Sequence, residues 1–463
     1  MFIYGARSRT SRAGDVVIER TTGGHLDETH DISLRSWVSE AHAEGTDFPL
    51  QNLPFGLFRH AVTDPARVGI AIGDQVLDCA AAVQCGCLDA LPPAVCEALS
   101  TASLNALMAL GRGAAAVVRG TVSRLLRSDT AEGANAEAKR ELVLVRMSDI
   151  TPSVPAAVGD FTDFYASVFH ATNVGALFRP QNPLLPNYKW VPVGYHGRAS
   201  SVVATGTTVR RPSGQTKPDA LAPPVFGPSK SLDYELELGA FVCGENAIGE
   251  NVPLAGAEQR IFGLSLLNDW SARDVQSWEY QPLGPFLAKS FATSVGAWIV
   301  TLDALEPFRV HASARSPLDP ALLAYLDEAV DQARGGFDIT LEVWLRSSAM
   351  RAAGLPPVRL SHGNFNSMYW TFAQMLTHHA SNGCNLRPGD LLGSGTVSGP
   401  GQESLGCLLE ITRRGAAPIS LPSGESRAFL VDGDEVIFRG WCERAGAARI
   451  GFGECRGEVR AAT

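Results

Sequence analysis

Within residues 232–238, Glu235 and Glu237 alternate with the large apolar residues Tyr234, Leu236 and Leu238. A period of two predicts a β-strand, with side chains two apart on one face and about 7 Å from each other. Two carboxylates therefore share one side of the strand, and at that separation their repulsion is on the order of 2 kcal/mol for an effective dielectric of ~20. Either water on an open sheet face or a hard cation held by oxygen ligands would compensate it. The strand alone leaves both readings open.

The rest of the chain supplies a framework of short elements. Residues 67–78, interrupted at Gly73-Asp74, predict two strands around a tight turn, and with the proline-punctuated stretch from Asp47 they predict a small β-rich leading domain. Helical spacing over 102–126 closes that domain, the Ala/Glu/Gly-rich 129–139 reads as a solvated connection, and Thr-Pro-Ser-Val-Pro at 151–155 reads as a boundary. Residues 160–175 mix polar and aromatic side chains with neither period, and glycine and proline then dominate to Arg198. Loops of that length in a compact domain are usually functional. Strands are predicted over 201–210, over 261–269 ending on an acid, around Trp298 and over 337–345. A short helix over 271–280 puts Arg273, Gln276 and Tyr280 on one side. A longer helix spans 364–380 with Gly383 as its left-handed stop, and 389–399 and 404–412 return to short strands and glycine turns.

Composition narrows the function. A chain of 463 residues, 45% hydrophobic and 19% charged, is expected to fold as a globular protein of two domains. A net charge of -9 with no Lys/Arg run argues against nucleic acid as a partner. No run of about 18 apolar residues predicts a membrane span, and the first 34 residues lack the apolar core of a secretory signal. Nine scattered cysteines fit free thiols in a reducing cytoplasm. Cys85-Gly86-Cys87 is a close pair without the further ligands that structural zinc needs.

Signatures of nucleotide cleavage, zinc peptidases and serine hydrolases are missing. Gly393-Ser-Gly-Thr-Val-Ser-Gly399 has the wrong spacing for a dinucleotide loop and reads as a mobile turn. What remains is a set of acids, Asp163, Glu235, Glu237 and Asp269, each beside aromatic or apolar residues that would dehydrate it. The segments around them are distinctive: Thr-Asp-Phe-Tyr at 162–165, His-Ala-Thr-Asn-Val-Gly at 170–175, the stretch 192–201, Leu-Leu-Asn-Asp-Trp-Ser-Ala-Arg-Asp at 266–274, and the runs 282–287, 377–379 and 382–392. In order and register, from about residue 47 to 452, they closely resemble the fumarylacetoacetase family within the wider fumarylacetoacetate hydrolase superfamily. The His170 and Tyr195 segments set this family apart from shorter superfamily members.

The resemblance implies a mainly β protein with some α structure: an extension at 1–36, an SH3-like N-terminal domain with linker at 37–155, and a mixed β-roll catalytic domain at 156–463, usually in a cytoplasmic homodimer. It implies hydrolysis of the carbon-carbon bond of 4-fumarylacetoacetate, a diketo acid, to fumarate and acetoacetate, the last step of tyrosine and phenylalanine degradation. By the same resemblance Asp163, Glu235, Glu237 and Asp269 match calcium ligands, and Asp269, Lys289 and Thr293 fall where the family holds a second, structural ion, with Ca2+ and Mg2+ as the expected cofactors. His170 is the general base and Glu410 orients it; Arg273, Gln276 and Lys289 surround the developing oxyanion. Tyr165, Arg179, Tyr195, Gln276, Tyr280 and Thr396 contact substrate.

The chemistry is coherent. A neutral histidine near its ordinary pKa of ~6.5 can take a proton from water, with a carboxylate fixing its tautomer. Cationic and amide donors stabilise the resulting alkoxide, and a divalent ion chelated by the 1,3-dicarbonyl eases departure of carbon. Four carboxylates suit calcium or magnesium better than zinc. An alternative within the superfamily is another acylpyruvate substrate, or decarboxylation or tautomerisation through the same enolate, for which the His170–Glu410 pair is dispensable. Taken alone, His378 and His379 read as structural.

Overall fold

A computed structural model of the chain describes residues 26–219 and 221–463. Its backbone is a thirteen-stranded sheet that runs through both halves of the molecule. From the N-terminal side its main path runs Leu144–Arg146, Gln75–Asp78, Arg67–Ile72, Phe55–Arg59, Trp298–Thr301, Ile261–Asp269, Leu236–Val242, Leu391–Gly393, Phe161–Phe164 and Gly194–His196, with Thr151–Ser153, Thr293–Val295 and Val202–Ala204 attached off that path. A second sheet of five strands includes Thr340–Arg346, Glu435–Cys442 and Ile450–Arg460. One apolar core lies between these two sheets, with Leu266, Leu341, Phe438 and Phe452 inside it, and another underlies the N-terminal helices, around Phe55, Leu107, Val118 and Phe262.

The expected mainly β architecture with helices is present, but among the described residues the N-terminal strands do not close into an SH3-like barrel. Phe55–Arg59 divides one edge between two partners: Phe55 and Gly56 face Ile299 and Trp298, while Leu57 to Arg59 face Ser153 to Thr151. The Trp298 ring lies 2.7 Å from where a Cβ on Gly56 would stand, so only glycine admits this approach. The leading sheet therefore opens into the central one instead of curling on itself.

Of the extension expected at 1–36, residues 1–25 lie outside the described residues. The remainder is tied down: Thr29 and Ser36 are buried, and the Arg119 guanidinium donates to Thr29 Oγ1 at 3.2 Å, to the Gln51 carbonyl at 2.6 Å and to the Asn52 carbonyl. No described helix is long and apolar enough to cross a membrane, and all nine cysteines are free.

Several elements differ from the sequence reading. The 102–126 helix is broken into Asn105–Ala109 and Arg112–Leu126 by Gly111 at φ 81°. The 129–139 connection contains the helix Ala131–Glu137, whose N-cap Thr130 accepts from Gly133 N at 3.0 Å. The aperiodic 160–175 stretch crosses a junction from the strand Phe161–Phe164 to the helix Val168–Phe178. The 364–380 helix begins later, at Phe372, behind a capping box on Thr371 and Gln374. Within 404–412 the chain forms the short helix Leu408–Ile411 where strand was expected. The 393–399 segment is no solvent-facing turn: Ser394, Thr396, Val397 and Ser398 are buried, and Ser394 N and Val397 N donate to the carbonyls of Leu238 and Leu236.

Candidate active site

Register brings the acids together. Leu236–Val242 pairs antiparallel with Ile261–Asp269 on one edge and with Leu391–Gly393 on the other, and Gly393 in turn stands opposite Asp163. Glu235 and Glu237 keep the common face that the alternation predicts, Asp269 reaches it from the strand end, and Asp163 from two strands away. Ligand oxygens of the four lie within 4.8 Å of one another, and all four residues are buried. An added Cβ on Gly393 would stand 2.6 Å from Asp163 Oδ1 and 3.0 Å from Glu237 Oε2, so glycine leaves the space that the cluster occupies.

Compensating charge is incomplete. Lys289 Nζ donates to Asp269 Oδ2 at 2.7 Å and to Glu235 Oε2, and Arg273 Nη1 lies 2.6 Å from Glu235 Oε1. Arg273 also serves Asp233 through Nε at 2.9 Å. Neutral donors complete Asp269: Tyr195 OH at 2.7 Å and Thr293 Oγ1 at 2.9 Å. On the far side Asp163 Oδ1 and Glu237 Oε2 share one backbone donor, Gly395 N, at 3.2 and 3.0 Å. Glu237 Oε1 has no partner at all.

The titration follows this asymmetry. Burial, reinforced by the neighbouring carboxylates, pushes Glu237 and Asp163 well above the usual carboxylate range. Burial acts the same way on Glu235, but the Lys289 and Arg273 charges outweigh it and hold that carboxyl below its ordinary value. Burial would lower Lys289, yet Asp269 and Glu235 raise it, so it stays a cation. A divalent ion fits the four-carboxylate set: hard oxygen donors, an orphaned buried oxygen and a glycine-made space. At the expected second position the Lys289 nitrogen is an ammonium donor and cannot coordinate a cation.

His170 sits in the first turns of Val168–Phe178, where the Ser167 hydroxyl caps its backbone N–H at 3.1 Å. Its Nδ1 is 2.6 Å from Glu410 Oε2. A carboxylate only accepts, so Nδ1 carries the proton and Nε2 is left as the base. Glu410 also accepts from Asn173 Nδ2 and Ser398 Oγ, both at 2.8 Å, and from Cys407 Sγ at 3.2 Å. Burial would raise this carboxyl, but His170 and the Asn173 and Ser398 donors bring it down to about 2.

Both constellations meet one cavity of about 940 Å³. His170, Asp163, Glu235, Arg273, Gln276 and Lys289 line it, as do the expected substrate contacts Tyr165, Arg179, Tyr195, Tyr280 and Thr396. Glu237, Asp269, Thr293 and Glu410 stand behind this lining, buried. Among the buried side-chain atoms of the described lining residues, Thr396 Oγ1 and Arg273 Nη2 have no partner, and Gln276 Oε1 accepts from Arg273 Nη1 at 3.2 Å, which frees its amide nitrogen. His378 and His379 bond outside the cavity, to Tyr325 OH at 3.0 Å and Thr162 Oγ1 at 2.8 Å, in keeping with a structural role. Sequence reasoning missed Asn173, Ser398, Cys407 and Gly395. Asn173 alone carried a local signal, three residues after His170 on one helix face.

Residues 161–460 match the family model of the fumarylacetoacetate hydrolase C-terminal region, and residues 51–155 that of the fumarylacetoacetase N-terminal region. The chain is 48% identical over 428 residues to a fumarylacetoacetase of Caenorhabditis elegans, covering 92% of this chain and 99% of that one. With the human fumarylacetoacetase it shares 47% over 420 residues, 90% of this chain and 97% of the relative. Among solved structures, the fumarylacetoacetate hydrolase of Exiguobacterium antarcticum superposes with a TM-score of 0.47 at 17% identity, over 88% of this chain and 99% of that one.

Proposed function

The chain belongs to the fumarylacetoacetase family, and from that premise we propose that it hydrolyses 4-fumarylacetoacetate to fumarate and acetoacetate, closing tyrosine and phenylalanine degradation. The observation that carries this reading is the opening of a His–Glu pair onto the same cavity as the four-carboxylate cluster.

In the proposed reaction His170 Nε2 takes a proton from water, and Glu410 holds the imidazole by Nδ1 and stabilises the imidazolium that forms. Water attacks the carbonyl of the fumaryl group, and the alkoxide receives charge-assisted donors from Lys289 and Arg273 and an amide donor from Gln276. A divalent cation held by Asp163, Glu235, Glu237 and Asp269 would supply Lewis acidity to the 1,3-dicarbonyl, so that carbon departs with its electron pair delocalised onto oxygen. His170 then returns its proton to the leaving carbon. Tyr165, Arg179, Tyr195, Tyr280 and Thr396 orient the diketo acid. Ca2+ or Mg2+ suits the oxygen set, and a second ion held by Asp269 and Thr293 could take from Lys289 only its carbonyl oxygen.

A decarboxylase or tautomerase would not need the water-activating pair, and the 2.6 Å His170–Glu410 contact favours hydrolysis. Residues 37–155 are read as the N-terminal domain with linker and 156–463 as the catalytic domain of a cytoplasmic homodimer. Phe226 and Leu283, 76% and 95% exposed on the cavity lining, would be covered by a second copy, which light scattering measures. For the activity, purified protein is given 4-fumarylacetoacetate and the loss of diketo-acid absorbance is followed in the ultraviolet. Equimolar fumarate and acetoacetate are expected; unchanged absorbance overturns the reading.

A further inference from the structure

The 393–399 segment touches the carboxylate cluster, the cavity and the His170–Glu410 pair. Gly395 N holds Asp163 and Glu237, Thr396 lines the cavity, and Val397 N donates at 2.7 Å to the carbonyl of Leu236, the residue between the two strand acids. Ser398, fully buried, is the member with most to explain. Its hydroxyl donates to Glu410 Oε2 at 2.8 Å and accepts from Gly406 N at 2.9 Å, so its single proton has a fixed direction. Gly406 lies two residues before the Leu408–Ile411 helix that carries Glu410. The Ser398 carbonyl accepts from Ser167 Oγ at 2.8 Å, and that same hydroxyl caps the N–H of His170.

We propose that Ser398 is a positioning residue that clamps the His170–Glu410 pair from both ends: its hydroxyl fixes the carboxylate, and its carbonyl fixes the helix cap beneath the imidazole. The proposal rests on the reading of His170 as the base. The geometry itself needs no substrate. Without the hydroxyl, Glu410 Oε2 keeps only the His170 contact and the weaker, longer thiol of Cys407, while Asn173 holds the other oxygen. The carboxylate is then free to turn toward Asn173, and the imidazole loses its fixed aim. Sequence pattern concealed this because a glycine-rich run reads as a turn; here Gly395, at φ 73°, lets the segment pass where a Cβ would come within 2.2 Å of the Phe164 carbonyl.

The test compares Ser398→Ala, Ser398→Thr and a control, Ser361→Ala, which removes a buried hydroxyl that has no partner. Proton NMR of the full chain follows the low-field Nδ1–H signal, assigned by its absence in His170→Ala, and steady-state kinetics run in Mg2+ with metal affinity measured alongside. Loss of a hydrogen bond to a charged group predicts a fall in kcat of about 10- to 100-fold for Ser398→Ala. KM and Mg2+ affinity stay within about twofold. The low-field proton should move or vanish, Thr should restore both readouts, and the control should leave both unchanged. An unmoved resonance with near-normal kcat overturns the proposal, as does a Thr variant no better than Ala. If the protein does not turn over fumarylacetoacetate at all, the functional reading fails separately and the resonance alone still decides the clamp.

Discussion

Two buried charge groups in this molecule are built on opposite terms. Arg427 and Asp434, 5% and 0% exposed, form a two-pronged pair at 2.9 and 3.0 Å, with Glu425 at 2.7 Å on the guanidinium and Val431 N at 2.9 Å on the carboxylate. Each charge there has an opposite charge and its hydrogen bonds, so the group holds one segment to the next and needs nothing from outside. Around Glu237 four carboxylates meet one ammonium and an arginine shared with Asp233, and one oxygen has no partner. A fold built for stability would not leave that deficit. The difference teaches that burial of charge marks a functional site when it is unbalanced and opens onto a cavity, not merely when it is deep.

The largest expected effect lies outside both groups and asks whether the deficit serves chemistry. His170→Ala should lower turnover by ~10²–10⁴-fold while metal affinity is kept, because the imidazole acts on water and coordinates nothing. Adding Glu410→Gln to it should cost little more, since the two act as one unit. Retained turnover, or a defect confined to lost metal, would move the enolate-only reading ahead.

Next in size, Asp434→Ala should destabilise the protein, by up to about 3–5 kcal/mol, by leaving Glu425 as the one carboxylate on buried Arg427, equally with and without divalent ion, in chemical denaturation. Glu237→Gln should do the reverse in chelator: it removes a like charge and raises stability, by at most ~2–3 kcal/mol at an effective dielectric near 20, since proton uptake already relieves part of the repulsion. The same variant should lose metal affinity. If both variants destabilised alike in chelator, the contrast between the two groups would collapse.

A comparison in pH rather than in metal concerns Asp331, a buried acid in neither group. Its Oδ1 accepts from Thr371 Oγ1 at 2.8 Å and its Oδ2 has no partner, and burial raises its pKa to about 7. A carboxyl raised in the folded state contributes fully below its unfolded pKa of ~3.9, and that contribution is lost as pH climbs through the folded value. Asp331→Asn should therefore melt above wild type at pH 8 and close to it near pH 5. An equal offset at both pH values would exclude ionisation as the cause.

How much of this was legible in the sequence depends on distance along the chain. The shared face of Glu235 and Glu237 follows from a period of two, and the acid closing Ile261–Asp269 from a short apolar run, each read over a few residues. The helix bearing His170 did not: it follows a strand after three residues, and Val168, Phe169, Ala171, Val174, Ala176, Leu177 and Phe178 leave it no clean polar stripe. Glu410 rides a four-residue helix, too short to show any period. Convergence of Asp163 with the strand acids passes through two long-range pairings, Gly239 with Gly393 and Leu391 with Phe161, and only family resemblance anticipated it. The open N-terminal sheet was likewise invisible, because nothing local says that Phe55 will pair with Ile299.

The central claim is that the unbalanced carboxylates exist to hold a cation that the reaction requires. The most direct test strips the protein exhaustively with chelator, verifies its metal content, and follows 4-fumarylacetoacetate before and after Ca2+ or Mg2+ is returned. The account predicts no turnover above the uncatalysed background in the stripped protein and recovery on adding either ion. Full turnover in protein shown to be metal-free would contradict it.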